Sequence, residues 1–543
     1  MRIALAQINP TLGSFNSNGQ KIIEYIERAK QKHAHLVVFP EMAVYGYPAN
    51  DSLEYSHFVR SQIDQIKNIQ KKIPPKITAV FGAVLKNDKA AKQGGKPYLN
   101  SAIVMQKNSK PKIISKQLLP TYDVYDESRF FEKGSESGIA VIPNIGRVGV
   151  SVCEDMWGNI FDNTARVYSS DPFEKFKNLD LMINISASPF SKTHMSVRLQ
   201  EAKRHVKRAK CPFVYVNQVG GQDELIFDGS SFILESNGKI AAQATSCEED
   251  LLISDLEKKA SEFRPLETDQ NEILRQVLVL GLRDFVRKTG NSKIHLGLSG
   301  GIDSSLVAAL AVDAVGPARV TGFLLPGPYS SKGSIGDAVA LAKNLGINSQ
   351  TISISEPYAE LLKAASEFQK IEASKVSIME QNIQARIRGL ILMAFSNAKG
   401  SLLLSTTNKS EMAVGYGTLY GDLCGSLAPI GDLTKREVYS LARHYNRSRE
   451  IIPAACIEKA PSAELAPNQT DQDTLPLYED LDDAVQNLVE KKMPPKSKVE
   501  RWVMQKILLS EFKRRQSPPI LRVSDHAFGI GRRMPIAFNP TAP

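Results

Sequence analysis

At 543 residues the chain exceeds what one hydrophobic core organises, so two to four domains are expected. Its 42% hydrophobic and 23% charged content is that of a soluble globular protein, and no run approaches the roughly 18 uninterrupted apolar residues of a membrane span. The net charge of +10 admits a nucleic-acid partner or an enzyme of anionic, phosphorylated substrates; the basic residues are dispersed apart from groups such as Lys513-Arg514-Arg515, without a nucleic-acid-binding signature, so no nucleic acid is expected.

The N-terminal stretch MRIALAQINPTLGSF reads as a first strand rather than a signal peptide. Further strands are predicted over Leu36 to Phe39, Thr78 to Val84, Ser101 to Met105, Val148 to Cys153, Leu181 to Ile185 and Phe213 to Val216. Gln20 to Lys32 and His194 to Ala209 carry helical spacing, and the mixture implies a layered α/β domain. The five cysteines lack paired spacing, which points to a reducing, cytoplasmic setting without a disulfide framework. From Leu251 to Pro265 the chain turns polar, and Asn271 to Lys288 then forms an amphipathic helix; the seam is placed near residue 262, giving domains 1–262 and 263–543. The Pro- and Asp-rich stretch Ile452 to Asp483, without clear periodicity, reads as a loop that orders on binding.

The sharpest local signal is Leu298-Ser299-Gly300-Gly301-Ile302-Asp303-Ser304-Ser305, lying between a strand and an Ala/Leu/Val-rich helix. Glycines allow close backbone approach, and a helix N-terminus attracts phosphate. The Gly-Lys-Ser/Thr ending of the common P-loop is missing. Asp303 stands in its place, and a carboxylate beside polyphosphate implies an intervening magnesium ion and release of pyrophosphate. A plain helix-capping glycine turn is the structural alternative.

This string resembles the pyrophosphate loop of the N-type ATP pyrophosphatases. Within that group, Gln381 to Arg388, Ser405 to Glu411, Val414-Gly415-Tyr416, Lys459 to Leu465 and Asn468 to Asp473 resemble the NAD synthetase pattern over residues 265–543. The resemblance implies a doubly wound parallel sheet of the adenine nucleotide alpha hydrolase type. It further implies ATP bound by Gly297, Leu298 and Ser299 to Ser304, the last six holding its phosphates, with Thr406 near the adenosine and magnesium on Asp303 and Glu411. Deamido-NAD would meet Asn382, Glu411, Tyr416 with its turn to Leu419, and Lys513. Gly421-Asp422-Leu423-Cys424-Gly425 departs from the Gly-Asp-Gly of short, ammonia-only relatives, which puts a metal role for Asp422 in doubt; Ser405 stands where glycine is frequent.

In the first half, Cys153 ends an apolar strand, Glu41 follows Phe39-Pro40, and Lys116 precedes a proline-interrupted aromatic loop. Taken singly, each has an ordinary structural reading. Together they resemble the Glu-Lys-Cys set of the nitrilase superfamily of carbon–nitrogen hydrolases, over roughly residues 1–250, which implies an α-β-β-α sandwich. In such a trio the thiol attacks an amide, the carboxylate takes its proton and the lysine faces the oxyanion. By the same resemblance Tyr122, Ser186 and Lys192 would bind glutamine, with Ser188 competing with Ser186. Cys211, Cys247, Cys424 and Cys456 read as structural.

The paired resemblances imply ATP-dependent amidation of deamido-NAD with ammonia freed from glutamine and carried in a sheltered tunnel, in a homo-oligomer. Three rivals remain at this stage: a related amidotransferase acting on another acid, a plain carbon–nitrogen hydrolase with a regulatory second half, and a basic binding protein.

Overall fold

The first strand, Arg2–Gln7, has neighbours on both sides: Leu36–Val38 runs parallel to it and Asp250–Asp255 antiparallel. In the computed structural model, which describes residues 1–158, 161–162, 165–166, 168–257, 260–368 and 376–538, these belong to a seven-stranded sheet. Thr78–Lys86, Tyr98–Gln106 and Lys112–Ser115 complete one side of it, and Ala260–Ser261 lies at the other edge. A second sheet has six strands in the order Ile240–Gln243, Phe232–Leu234, Phe213–Asn217, Leu181–Ser186, Gly146–Val152, Ile139–Ile142.

Successive strand residues point to opposite faces. Ile3 and Leu5 therefore join Val38, Val150, Ile183 and Val214 between the two sheets. Ala4 and Ala6 instead face Ile22 and Ile26 of helix Phe15–Gln31 and Ile66 and Ile69 of helix Ser56–Lys72. Helix His194–Ala209 covers the second sheet through Ala202 and Val206. The result is the α-β-β-α sandwich expected. Leu36–Val38 and the strands Gly146–Val152 and Leu181–Ser186 each lie in parallel pairs, so their C-terminal ends gather residues far apart in sequence.

The chain divides into two units, one of Met1–Gln222 with Ile226–Glu267, the other of Asp223–Leu225 with Thr268–Pro543. In the second, four parallel strands lie in the order Asn348–Thr351, Val320–Leu324, Ile294–Gly297, Leu402–Leu403, a doubly wound arrangement. The strand order reverses beside Ile294–Gly297, where such folds open a ligand crevice at the carboxyl ends. Helix Ile302–Val315 follows that strand. It is buried along most of its length, which accounts for its almost unbroken apolar sequence.

The expectation of a loop over Ile452 to Asp483 is corrected here. Ala454–Glu458 and Tyr478–Val485 are helices, and Asp471–Asp473 is a single tight turn. Tyr478, Leu481, Ala484 and Val485 form a buried stripe on the latter helix, diluted in sequence by the acidic residues between them. The strand before Cys153 ends at Val152, so the cysteine already belongs to the turn.

Candidate active sites

Glu41 follows strand Leu36–Val38 and lies against strand Thr78–Lys86. Gly82 makes that approach feasible: a Cβ there would meet the Met42 nitrogen at 2.1 Å and the Glu41 Cα at 2.5 Å. Glu41 Oε1 accepts from Lys116 Nζ at 2.9 Å and Asn100 Nδ2 at 2.6 Å, and Oε2 from the Ala187 amide at 3.0 Å. Lys116 Nζ also donates to Glu127 Oε1 at 2.6 Å, and the Tyr47 hydroxyl reaches the same oxygen at 3.0 Å. Glu41 and Lys116 are almost wholly inaccessible, at 0% and 1% exposure. Burial works against the lysine cation, but Glu127 and Glu41 more than offset it and hold its pKa well above the usual range. Burial lifts Glu127 to about 7 despite Lys116.

Cys153 adopts φ 42°, a left-handed conformation uncommon for a side chain of its kind, immediately beyond its strand. The turn is pinned by Asp155, whose carboxylate accepts from the amides of Val152, Gln117 and Leu118 at 3.0, 2.8 and 2.9 Å. One acidic side chain thus locks the cysteine turn to the lysine segment. Burial and then Glu41 push the Cys153 thiol well above its ordinary pKa, with Lys116 opposing, so at neutral pH the thiol keeps its proton. A base is therefore needed, and Glu41 lies within its electrostatic reach.

Of the residues expected around glutamine, Ser186 is buried at the end of its strand and donates to Asn184 Oδ1 at 2.6 Å. The Ser188 hydroxyl instead accepts from Arg198 Nε at 3.3 Å. Tyr122 is 46% exposed and donates to Glu154 Oε1 at 2.8 Å, an oxygen it shares with the Tyr168 hydroxyl at 2.6 Å. Lys192 lies exposed on the turn before helix His194–Ala209. Sequence reasoning missed Glu127 and Asn100 as members of the cluster.

In the second unit a cavity of about 330 Å³ opens at the strand-order reversal. Gly297, Leu298, Ser299, Gly301, Ile302, Asp303, Ser304, Thr406, Glu411 and Tyr416 all line it. Gly300 has a backbone duty: its φ is +75°, and a Cβ would lie 2.2 Å from the Ser334 carbonyl oxygen. Glu464 closes over the same region, accepting from the Ser331 and Ser334 hydroxyls at 2.9 and 2.7 Å.

Asp303 is not the bare carboxylate that its sequence setting suggests. Its Oδ2 accepts from Lys435 Nζ at 2.5 Å and its Oδ1 from Asn408 Nδ2 at 3.0 Å. Lys435, 1% exposed, also stands 3.5 Å from Glu411 Oε1, so one buried cation lies between the two acids. Asn408 caps helix Lys409–Val414, its Oδ1 accepting from the Glu411 amide at 3.0 Å, and thereby orients both carboxylates. Burial and then Asp303 raise Glu411 to about 8, Lys435 opposing. As hard oxygen donors facing a cavity, the two acids fit a magnesium ion, which Asp303 and Glu411 would hold. Among the described residues no cluster of three or more His, Cys, Asp or Glu is placed to hold a metal by itself.

Asn382 and Lys513 do not line the cavity. Lys513 Nζ donates to the Gly415 and Gly417 carbonyl oxygens, each at 2.8 Å, and Asn382 Oδ1 accepts from the Thr418 hydroxyl at 2.8 Å. Both brace the turn that begins at Tyr416.

The first unit thus holds a buried thiol, carboxylate and lysine at the ends of its strands, and the second a crevice at its strand-order reversal. Residues 2–264 match the carbon–nitrogen hydrolase family and residues 274–517 the NAD synthase family. The chain is 44% identical to a glutamine-dependent NAD(+) synthetase of Synechocystis sp., covering 99% of both chains, and 36% identical to one of Thermotoga maritima, covering 99% of this chain and 98% of that one. The structure of the Acinetobacter baumannii glutamine-dependent NAD+ synthetase in complex with ADP superposes with a TM-score of 0.77 at 34% identity, covering 98% of each chain. The Cytophaga hutchinsonii synthetase shares the fold with a TM-score of 0.81 at 22% identity, over 99% of this chain and 97% of that one. This chain belongs to the glutamine-dependent NAD(+) synthetase family.

Proposed function

We propose that the chain amidates deamido-NAD to NAD with nitrogen from glutamine, and that the residues assembled above divide the work as follows. In residues 1–262, the Cys153 Sγ attacks the glutamine amide carbon as Glu41 takes the thiol proton. Lys116 faces the oxyanion, Glu41 returns the proton to the departing ammonia, and water cleaves the thioester to glutamate. Tyr122, Ser186 and Lys192 hold the amino-acid end.

In residues 263–543, the nicotinate carboxylate attacks the α-phosphorus of ATP, and pyrophosphate leaves. Ammonia then displaces AMP from the adenylate. Residues 299–304 hold the phosphates, with Thr406 beside the adenosine. Asp303 and Glu411 would hold magnesium with the phosphates, where it would offset polyphosphate charge. Glu411 and Tyr416, with the turn braced by Asn382 and Lys513, meet deamido-NAD. We further propose that the enzyme works in the cytoplasm as a homo-oligomer.

The observation that carries this reading is Lys116 buried between Glu41 and Glu127, its charge felt by the Cys153 thiol, in a chain whose second unit sets two acids on a cavity beside a glycine loop. Cys153→Ala should abolish NAD synthesis from glutamine while sparing synthesis from ammonium salts. Asp303→Ala should remove both. Glutamine use that survives Cys153→Ala refutes the first-unit assignment.

A further inference from the structure

Asn100 has no part in the steps above, yet it lies at their centre. It belongs to strand Tyr98–Gln106, is 1% exposed, and its carbonyl oxygen accepts from the Lys116 amide at 2.8 Å. Its Nδ2 donates to Glu41 Oε1 at 2.6 Å and to Glu127 Oε2 at 3.3 Å. Lys116 Nζ donates to the same two carboxylates, at 2.9 and 2.6 Å. The four side chains close a ring in which two acceptor groups alternate with two donor groups.

Chemistry fixes the direction of the amide. Turned over, it would set a carbonyl oxygen 2.6 Å from a carboxylate oxygen. In the observed direction Oδ1 is buried without a hydrogen-bond partner. A buried acceptor left unmade is costly, and an apolar residue of similar size would avoid the cost. Packing therefore does not explain an asparagine here, whereas the ring does. Lys116 carries one charge for two carboxylates, and without a second donor the ammonium would settle on either one.

We propose that Asn100 is a positioning residue of the amide-cleaving site, tying Glu41 to Glu127 so that Lys116 stays shared and Glu41 keeps the orientation that serves Cys153. This rests on the roles assigned above to Cys153, Glu41 and Lys116. Among the described residues, the ionisable groups facing the carboxylate pair are Lys116, Tyr47, Cys153, Glu154 and Tyr168, and no substitution below alters them.

The test uses the full-length enzyme with Asn100→Asp, which keeps the shape but replaces the donor by an acceptor, and Asn100→Leu, which removes it. NAD synthesis is followed across pH 5.5 to 9 with glutamine or with ammonium salts. We expect kcat with glutamine to fall about 100-fold in both variants, the loss typical of a misplaced catalytic group, with KM for glutamine little changed and the ammonium route intact. In Asn100→Asp the acidic limb of the glutamine profile should also move up by about one pH unit, because an added carboxyl disfavours ionisation of its neighbours. Wild-type kcat with glutamine in either variant overturns the proposal. So does a loss confined to KM, which would mark a substrate contact, or loss of the ammonium route in both variants, which would mark a folding residue. Glutamine use surviving in a Cys153→Ala control would instead sink the underlying assignment, separately from Asn100.

Discussion

Replacing Lys116 by Met removes the cation that the buried carboxylates of Glu41 and Glu127 share. Its ammonium lies 2.9 Å from Glu41 and 2.6 Å from Glu127, and all three side chains are at most 5% exposed. Breaking a buried ion pair by deleting one partner costs about 3–5 kcal/mol, because the other charge is stranded. The chain has two tryptophans, Trp157 in the first unit and Trp502 in the second, so a Trp502→Phe background makes fluorescence report on the first unit alone. With a urea slope of about 3 kcal/mol per M, the midpoint followed by Trp157 at pH 8 should drop by about 1–1.7 M. The loss should depend on pH. Burial already lifts Glu127 from 4.5 to about 7, and loss of the cation drives it higher. A carboxyl raised in the folded state binds its proton more tightly there, so its contribution is complete below the unfolded pKa and fades as pH rises through the folded one. The variant should therefore approach the parent at pH 5.5 and fall furthest behind it at pH 8. A deficit that is equal at both pH values would refute the stranded-carboxylate argument.

Two further outcomes follow from the second unit. Gly300→Ala forces a Cβ to within 2.2 Å of the Ser334 oxygen at a φ of +75°, so the loop must shift; ATP-dependent pyrophosphate release should fall at least about 10-fold with either nitrogen source, checked by coupled phosphate assay. Lys435→Met leaves Asp303 and Glu411 without their shared cation, so both nitrogen sources should fail at neutral pH, and magnesium titration should show a stronger requirement for the ion in whatever activity remains.

Much of this could be read from the residues. The apolar runs before Glu41 and Cys153 marked strands whose ends gather in space, and the glycine string between a strand and a uniformly apolar helix marked the crevice. Glu127 escaped because its loop has no period to place it, and only the fold brings it to Lys116. Lys435 escaped for a similar reason: 132 residues separate it from Asp303. Reasoning about Asp303 alone required a divalent ion to justify an acid near phosphate, whereas the fold supplies a lysine first. Helix Tyr478–Val485 was hidden by acidic residues as numerous as its apolar stripe, and its stripe is apparent only once Met412, Val503 and Ile507 cover it.

The resting state of Cys153 bears on survival under chemical stress. Peroxides and electrophiles attack sulfur that has shed its proton, and here burial beside an acid keeps that proton in place. Such a sulfur should outlast the exposed, ionised cysteines of other enzymes when oxidants rise.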